Sequence, residues 1–139
     1  RQVKAPKVYI RDTGLLHQTL GIRSAKDLYT HPKYGASWEG YAIEETIKAT
    51  EPDEAYYWAT HNGAELDLLL VKDGRMLGVE CKCVDAPRLT PSMTTALEDL
   101  KLERIDVLYP GKKRYSLRAD VHAVPLEALA DGIRGLFGR

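Results

Sequence analysis

Little in this sequence is long, repeated or one-sided. Its 139 residues carry 20 Lys plus Arg against 20 Asp plus Glu, so the formal net charge is zero. That excludes a strongly basic nucleic-acid coat and a polybasic membrane binder, though not a local basic patch. No apolar run exceeds the five residues Ala55 to Ala59. A membrane helix needs about 20, so no membrane partner is expected. There are 2 cysteines, Cys81 and Cys83, one residue apart. A disulfide framework needs more, and partners two apart on a strand would be strained. A reducing, cytoplasmic home is therefore expected. The start, Arg1-Gln2-Val3-Lys4, has no signal-peptide core and no initiator Met, and reads as the edge of a piece of a longer protein. No internal repeat or low-complexity tract is present. No G-x-x-x-x-G-K-[ST] run exists, so no nucleotide site of that kind is expected.

Two other chemistries lack their parts. The 4 histidines, His17, His31, His61 and His122, share no metal-ligand spacing and read as structural or surface residues. Ser37 and Ser92 have no evident base and no nucleophile elbow. What is present suits one domain over residues 1–139. The apolar share of 44% is close to that of globular proteins.

Along the chain, Lys7 to Ile10 reads as a short strand, and Leu15, Leu16 and Leu20 suggest a short helix after Asp12-Thr13-Gly14. Residues 21–37 read as mostly irregular. Ser37 is a candidate N-cap for a helix from Trp38 to Thr50, stopped by Pro52. Ala55 to Thr60 is aromatic and apolar, hence a strand, and His61-Asn62-Gly63 is a turn. Thr90-Pro91 opens a helix with Met93, Ala96, Leu97 and Leu100 on its apolar face. Ile105 to Tyr109 is then a strand, which favours a parallel crossover. Tyr115 to Leu117 and Val121 to Val124 form a second hairpin, and Pro125 to Phe137 a final helix weakened by Gly132 and Gly135.

The most informative segment is the first hairpin. Glu65 to Lys72 and Arg75 to Cys83 flank Asp73-Gly74, among the strongest two-residue turn signals. Pairing Lys72 with Arg75 sets Asp67 opposite Glu80, and Glu65 opposite Lys82. Alternation then puts Glu65, Asp67, Glu80 and Lys82 on one face. Leu66, Leu68, Leu70, Leu77, Val79 and Cys81 fall on the other. Two facing carboxylates repel, and a divalent cation between them resolves the conflict. Lys82 beside them would stabilise developing negative charge or help activate water. The plainer reading is a solvent-exposed charged face with an ordinary Glu65–Lys82 ion pair. A bulge or a one-residue slip would spoil the pairing of Asp67 with Glu80.

On the Trp38–Thr50 helix, Glu39 shares the packed stripe with Ala42, Ile43 and Thr46, so it can complete such a site. Glu45, at the Trp38/Tyr41 edge, is the second candidate. Glu44 lies nearly opposite and should be solvated. The plainer role for Glu39 is a first-turn acid complementing the helix dipole. Lys112, Lys113, Arg114 and Arg118 cluster near Pro110-Gly111. With Arg88 they offer phosphate contacts, against the plainer reading of a solvated turn.

Glu39, Asp67 and Glu80-Cys81-Lys82, in that order and spacing, resemble the PD-(D/E)XK nuclease superfamily. The strict Pro-Asp pair is absent, since Leu66 precedes Asp67. Further stretches run in the order of a narrower pattern. They are Lys7-Val8-Tyr9 with Asp12-Thr13-Gly14-Leu15, Gly35 to Glu45, Gly63 to Asp67, Val107 to Gly111, and Val124-Pro125-Leu126. Together they are similar to the uncharacterised C-terminal domain of prokaryotic AAA-type ATPases.

The resemblance implies an α/β fold with a restriction-endonuclease-like mixed central sheet flanked by helices. It implies a metal-dependent phosphodiesterase acting on nucleic acid, with Asp67, Glu80 and Glu39 as ligands of Mg²⁺ or Mn²⁺. Lys82 would orient the attacking water and Glu65 would tune Lys82. It also implies an N-terminal ATPase domain in the same longer chain. The alternative is a non-catalytic module that binds DNA or a partner, or one that forms a homo-oligomer, while keeping the nuclease fold.

Overall fold

A computed structural model describes residues 8–138. In chain order it contains α1 (Thr13–Thr19), α2 (Ala25–Thr30), α3 (Tyr34–Thr50), β1 (Glu54–Ala59), β2 (Glu65–Lys72) and β3 (Arg75–Cys81). Then come α4 (Pro91–Leu100), β4 (Arg104–Tyr109), β5 (Tyr115–Arg118), β6 (Val121–Pro125), a 3-10 helix (Leu126–Asp131) and α5 (Ile133–Phe137).

The strands form one six-stranded mixed sheet in the order β1-β2-β3-β4-β6-β5. The β1–β2, β2–β3 and β5–β6 pairs are antiparallel, and β3–β4 and β4–β6 are parallel. The crossover from β3 through α4 to β4 is thus the parallel connection expected from the sequence. Both faces of the sheet are covered. On one, α3, the 3-10 helix and α5 pack on Leu68, Leu70, Leu77, Val79, Cys81, Leu108 and Val124. On the other, Met93, Ala96 and Leu97 of α4 pack on Leu66, Leu69, Ile105, Val107 and Val121. Among the described residues, no helix is long and apolar enough to cross a membrane.

The β2–β3 hairpin begins as its turn dictates. Asp73 and Gly74 adopt positive φ of 51° and 74°, the combination a tight two-residue turn requires. Pairing runs from Lys72 with Arg75 to Leu68 with Val79, in the expected register. There it stops, and β3 ends at Cys81 rather than Cys83. On the other side of β2, Tyr56 pairs with Leu69 but Trp58 pairs with Leu66, so a bulge sets Asp67 and Leu68 against Tyr57. The extra residue reverses the alternation beyond it. Leu66 therefore packs with Leu69, not with Leu68 and Leu70.

Several local readings are corrected. Residues 8–10 are irregular, with Val8 85% exposed, and Lys7 lies outside the described residues. Tyr9 nevertheless has a role, because its ring packs on Gly40, where an added Cβ would come within 2.9 Å of Cδ1. Residues 21–37 are not mostly irregular, since they include α2 and the first turn of α3. Ser24 caps α2, accepting from the Asp27 N–H. Ser37 is no cap. It lies inside α3, buried, with its Oγ 2.7 Å from His17 Nε2, and so ties α1 to α3. At the other end α3 stops as expected, with Glu51 in the left-handed region ahead of Pro52. The final helix is two pieces, broken at Gly132 with φ 59° and ψ −141°. By contrast α4 starts as read, its Thr90 hydroxyl accepting from the Met93 N–H and Pro91 opening the first turn.

At Gly78, facing Leu69 in the middle of the sheet, an added Cβ would lie 2.8 Å from Ile105 Cγ1, 3.0 Å from Leu102 Cδ1 and 3.3 Å from Leu66 Cδ2. Gly78→Val should therefore destabilise the domain by about 1–3 kcal/mol through overpacking. Urea denaturation should show a lower midpoint at an unchanged slope. An unchanged midpoint would show that the Ile105, Leu102 and Leu66 side chains yield freely.

Candidate functional site

Asp67 and Glu80 meet where β2 and β3 part. Asp67 is 7% exposed and Glu80 4%. This burial overturns the reading of an exposed charged face. The two residues do not face each other as a ladder pair either. Their side chains replace the ladder instead: the Cys81 N–H donates to Asp67 Oδ2 at 2.9 Å, and the Asp67 N–H donates to Glu80 Oε2 at 3.1 Å. Two buried backbone amides that would otherwise lack acceptors are satisfied by carboxylates.

Lys82 follows directly after β3. Its Nζ lies 2.6 Å from Glu80 Oε1, and its N–H donates to the Leu108 carbonyl. Burial and the neighbouring Asp67 charge push the Glu80 carboxyl up to about 7, although Lys82 opposes the shift. Burial pulls the Lys82 ammonium down, but Glu80 and Asp67 outweigh it and hold its pKa above the ordinary lysine value. Lys82 is therefore a fixed cation at neutral pH, and Glu80 is the group that exchanges a proton there.

Glu39 projects from the first half of α3 toward this end of β3. Its charge helps raise Cys81, Lys82 and Cys83. The other predicted acids lie elsewhere. Glu45 pairs with Lys48 at 2.9 Å. Glu44, expected in solvent, is mostly covered and held by Arg11 at 3.0 Å. Glu65 accepts from the Tyr57 hydroxyl at 3.0 Å, across the strand from the bulge. Among the described residues, no three His, Cys, Asp or Glu side chains converge closely enough to enclose an ion. Cys81 is buried as expected, but Cys83 is only half-buried and hydrogen-bonds the Tyr34 hydroxyl.

The basic cluster divides. Arg88, Lys112 and Lys113 line one surface groove. Arg114 turns away and donates to the carbonyls of Leu136 and Gly135 at the end of α5, where Arg104 also binds Leu136. Arg118 pairs with Asp120 at 2.8 Å. Sequence reading missed Tyr34 and Tyr57 at the site. Nothing local marks either residue, since one reaches Cys83 and the other Glu65 only in the folded chain.

The raised Glu80 pKa has a sign that stability measurements can read. Between its unfolded value near 4.5 and its folded value of about 7, the folded chain binds more protons, so its stability falls as pH rises through that window. Asp106, buried and raised to about 6, acts in the same direction. In EDTA, the urea midpoint should fall from pH 4.5 to pH 7.5, and Glu80→Gln should flatten that fall. Equal slopes in both proteins would show that Glu80 titrates as an ordinary carboxylate.

The geometry can be set beside known proteins. A family model for a domain of unknown function (DUF4143) matches residues 34–129, from the first residue of α3 into the 3-10 helix. An uncharacterized protein of Mycobacterium bovis and one of Mycobacterium tuberculosis are each 46% identical to the chain over 129 residues. The match covers 93% of this chain and 29% of each relative, so the chain spans under a third of their length. No solved structure matches it. With more than half its length matched, the chain belongs to the DUF4143 family.

Proposed function

We propose that the domain is a restriction-endonuclease-like module of PD-(D/E)XK type that hydrolyses phosphodiester bonds in nucleic acid. The observation that carries the proposal is the buried Asp67–Glu80 pair with Lys82 at 2.6 Å, all at one end of the sheet. The resemblance noted above gives those same residues the same roles.

The donor set suits a hard cation such as Mg²⁺ or Mn²⁺. Such ions take oxygen ligands and often use only one or two carboxylates, with water filling the rest. Asp67 and Glu80 would hold the ion, and Glu39 would reach it directly or through water. When bound, it would polarise the phosphoryl oxygen and acidify a water. Lys82 keeps its charge and is positioned to oppose the negative charge that develops on phosphate. Without an ion, burial and the Asp67 charge push the Glu80 carboxyl up to about 7, so an ion taken up there near neutral pH would displace its proton. Tyr57 fixes Glu65 and supports the edge of the site.

We further read the domain as part of a longer chain that carries an ATPase domain, in line with the resemblance and the greater length of the relatives. The absence of three converging acids among the described residues favours a second reading, a non-catalytic module that binds a partner or DNA.

Cleavage of single-stranded, duplex and branched DNA, and of RNA, should depend on Mg²⁺ or Mn²⁺. Asp67→Ala and Glu80→Ala should each lower the rate at least about 100-fold, the scale of losing one preorganised electrostatic group. Identical behaviour of wild type and Asp67→Ala, with no Mn²⁺ uptake by calorimetry, sinks the enzymatic reading. Binding that survives Glu80→Ala without any cleavage establishes the second.

A further inference from the structure

The groove lined by Arg88, Lys112 and Lys113 has a volume of about 650 Å³ and does not include Asp67 or Glu80. It begins at the level of Lys82. In the parallel β3–β4 ladder Glu80 pairs with Val107 and Cys81 with Leu108, so Tyr109 stands at the level that Lys82 reaches. By alternation Tyr109 shares the Glu80 face of the sheet. The groove is the continuation of that face past the end of β4.

Its walls are held in place. The Tyr109 hydroxyl donates to the Lys113 carbonyl at 2.5 Å and accepts from the Lys113 N–H at 3.2 Å. The loop between them lies flat on the Tyr109 ring, and any Cβ at Gly111 would overlap ring carbons. On the opposite wall, the Tyr115 hydroxyl donates to the Pro87 carbonyl at 3.1 Å. The Tyr109 and Tyr115 rings meet edge to face, with centroids 5.9 Å apart. Two loops that carry cations are thus fixed by two tyrosines from β4 and β5, the strands on either side of β6. Arg88, Lys112 and Lys113 are exposed, and among the described residues none makes an ion pair. Asp85 is the acid at the rim.

Three unneutralised cations around an apolar concavity of Pro87, Tyr109, Tyr115 and Leu117 select for a particular ligand shape. A duplex offers phosphates on a convex surface and keeps the faces of its bases stacked inside. A single strand offers phosphates and open base faces together. We propose that this groove binds a single nucleic-acid strand, with its phosphates on Arg88, Lys112 and Lys113 and its bases against the apolar floor. The strand would run from the groove past Lys82 toward Asp67 and Glu80. The inference rests on the phosphodiesterase reading for its direction, but binding in the groove can be measured without cleavage.

Fluorescence anisotropy with a labelled oligothymidylate, in EDTA and in the intact chain, makes that measurement. The variant Arg88→Gln/Lys112→Gln/Lys113→Gln should bind at least ~10-fold more weakly. Its slope of log affinity against log salt should be shallower by about 2, at ~0.7 per phosphate contact on a single strand. Tyr109→Phe keeps every charge but releases the loop, and should weaken binding by less. Melting temperatures of the triple variant should match wild type, since all three side chains are exposed. An unchanged affinity and salt slope in the triple variant overturns the proposal, as does tighter binding to a duplex of equal length. If wild type and triple variant cleave equally with equal KM, the groove inference fails and the nuclease reading stands. If the groove binds the strand and no metal supports cleavage, the nuclease reading fails and the groove stands.

Discussion

Two carboxylates stand in for two missing rungs of a sheet, and the rest of the site follows from that substitution. Where β2 and β3 separate, the amides of Asp67 and Cys81 would be left buried without acceptors. Glu80 takes the first and Asp67 the second. An unsatisfied buried donor costs about 1–3 kcal/mol, so neither acid can be lost without structural consequence. Its own burial and the neighbouring Asp67 charge raise Glu80 into the neutral range, and Lys82 limits how far. A structural need and a chemical potential thus reside in the same pair of side chains.

The bulge explains how acids come to lie there at all. Without it, β2 would alternate strictly and Asp67 would remain in register with the strand on either side. With Asp67 and Leu68 both set against Tyr57, Leu66 returns to the face covered by α4 and closes the core beneath the site. The core on both sides of the sheet is therefore continuous up to the charged end, and the acids sit over packed side chains instead of water. The tight turn at Asp73-Gly74 fixes the register at the far end of the same hairpin. The bulge fixes where the carboxylates appear at the near end.

What could be read in the sequence was local. The Asp-Gly turn, the Thr90-Pro91 start of α4 and the stop ahead of Pro52 are each set by residues within one turn of the position they control. The pairing from Lys72 with Arg75 to Leu68 with Val79 followed from the turn alone. Ser37 was misread because a hydroxyl before an apolar run looks like a cap, while its partner, His17, is distant in sequence. The break at Gly132 needed its positive φ, which Gly permits but does not announce. The bulge was equally silent, since it depends on β1 choosing its register against β2. In the basic cluster, sequence could not separate Lys112 and Lys113, which line the groove, from Arg114, which binds carbonyls at the end of α5. Asp67, Glu80 and Lys82 meet at one end of the sheet, through side-chain bonds and not the facing ladder pair the turn register implied, and Glu45 pairs with Lys48.

The parallel strands β3 and β4 end at the same edge of the sheet, and both the acid pair and the basic groove sit there. In open α/β sheets the carboxyl ends of strands are where loops diverge and leave a crevice. That placement sets an electrostatic problem for any phosphodiester. Asp67 and an ionised Glu80 would repel it, and the single charge of Lys82 offsets only one of them. Either a proton on Glu80 or a divalent cation must supply the remainder before phosphate can approach. Burial and the Asp67 charge push the Glu80 carboxyl up to about 7, so it keeps its proton to higher pH than an ordinary carboxylate. Once that proton is lost, on the proposed reading, the cation is required both for chemistry and for admission. Arg88, Lys112 and Lys113 would then hold the strand from outside this field, attracting phosphates without neutralising the acids that the sheet itself needs. The zero net charge of the chain conceals this local arrangement, with Asp67 and Glu80 buried at the strand ends and Arg88, Lys112 and Lys113 exposed on the loops beyond them.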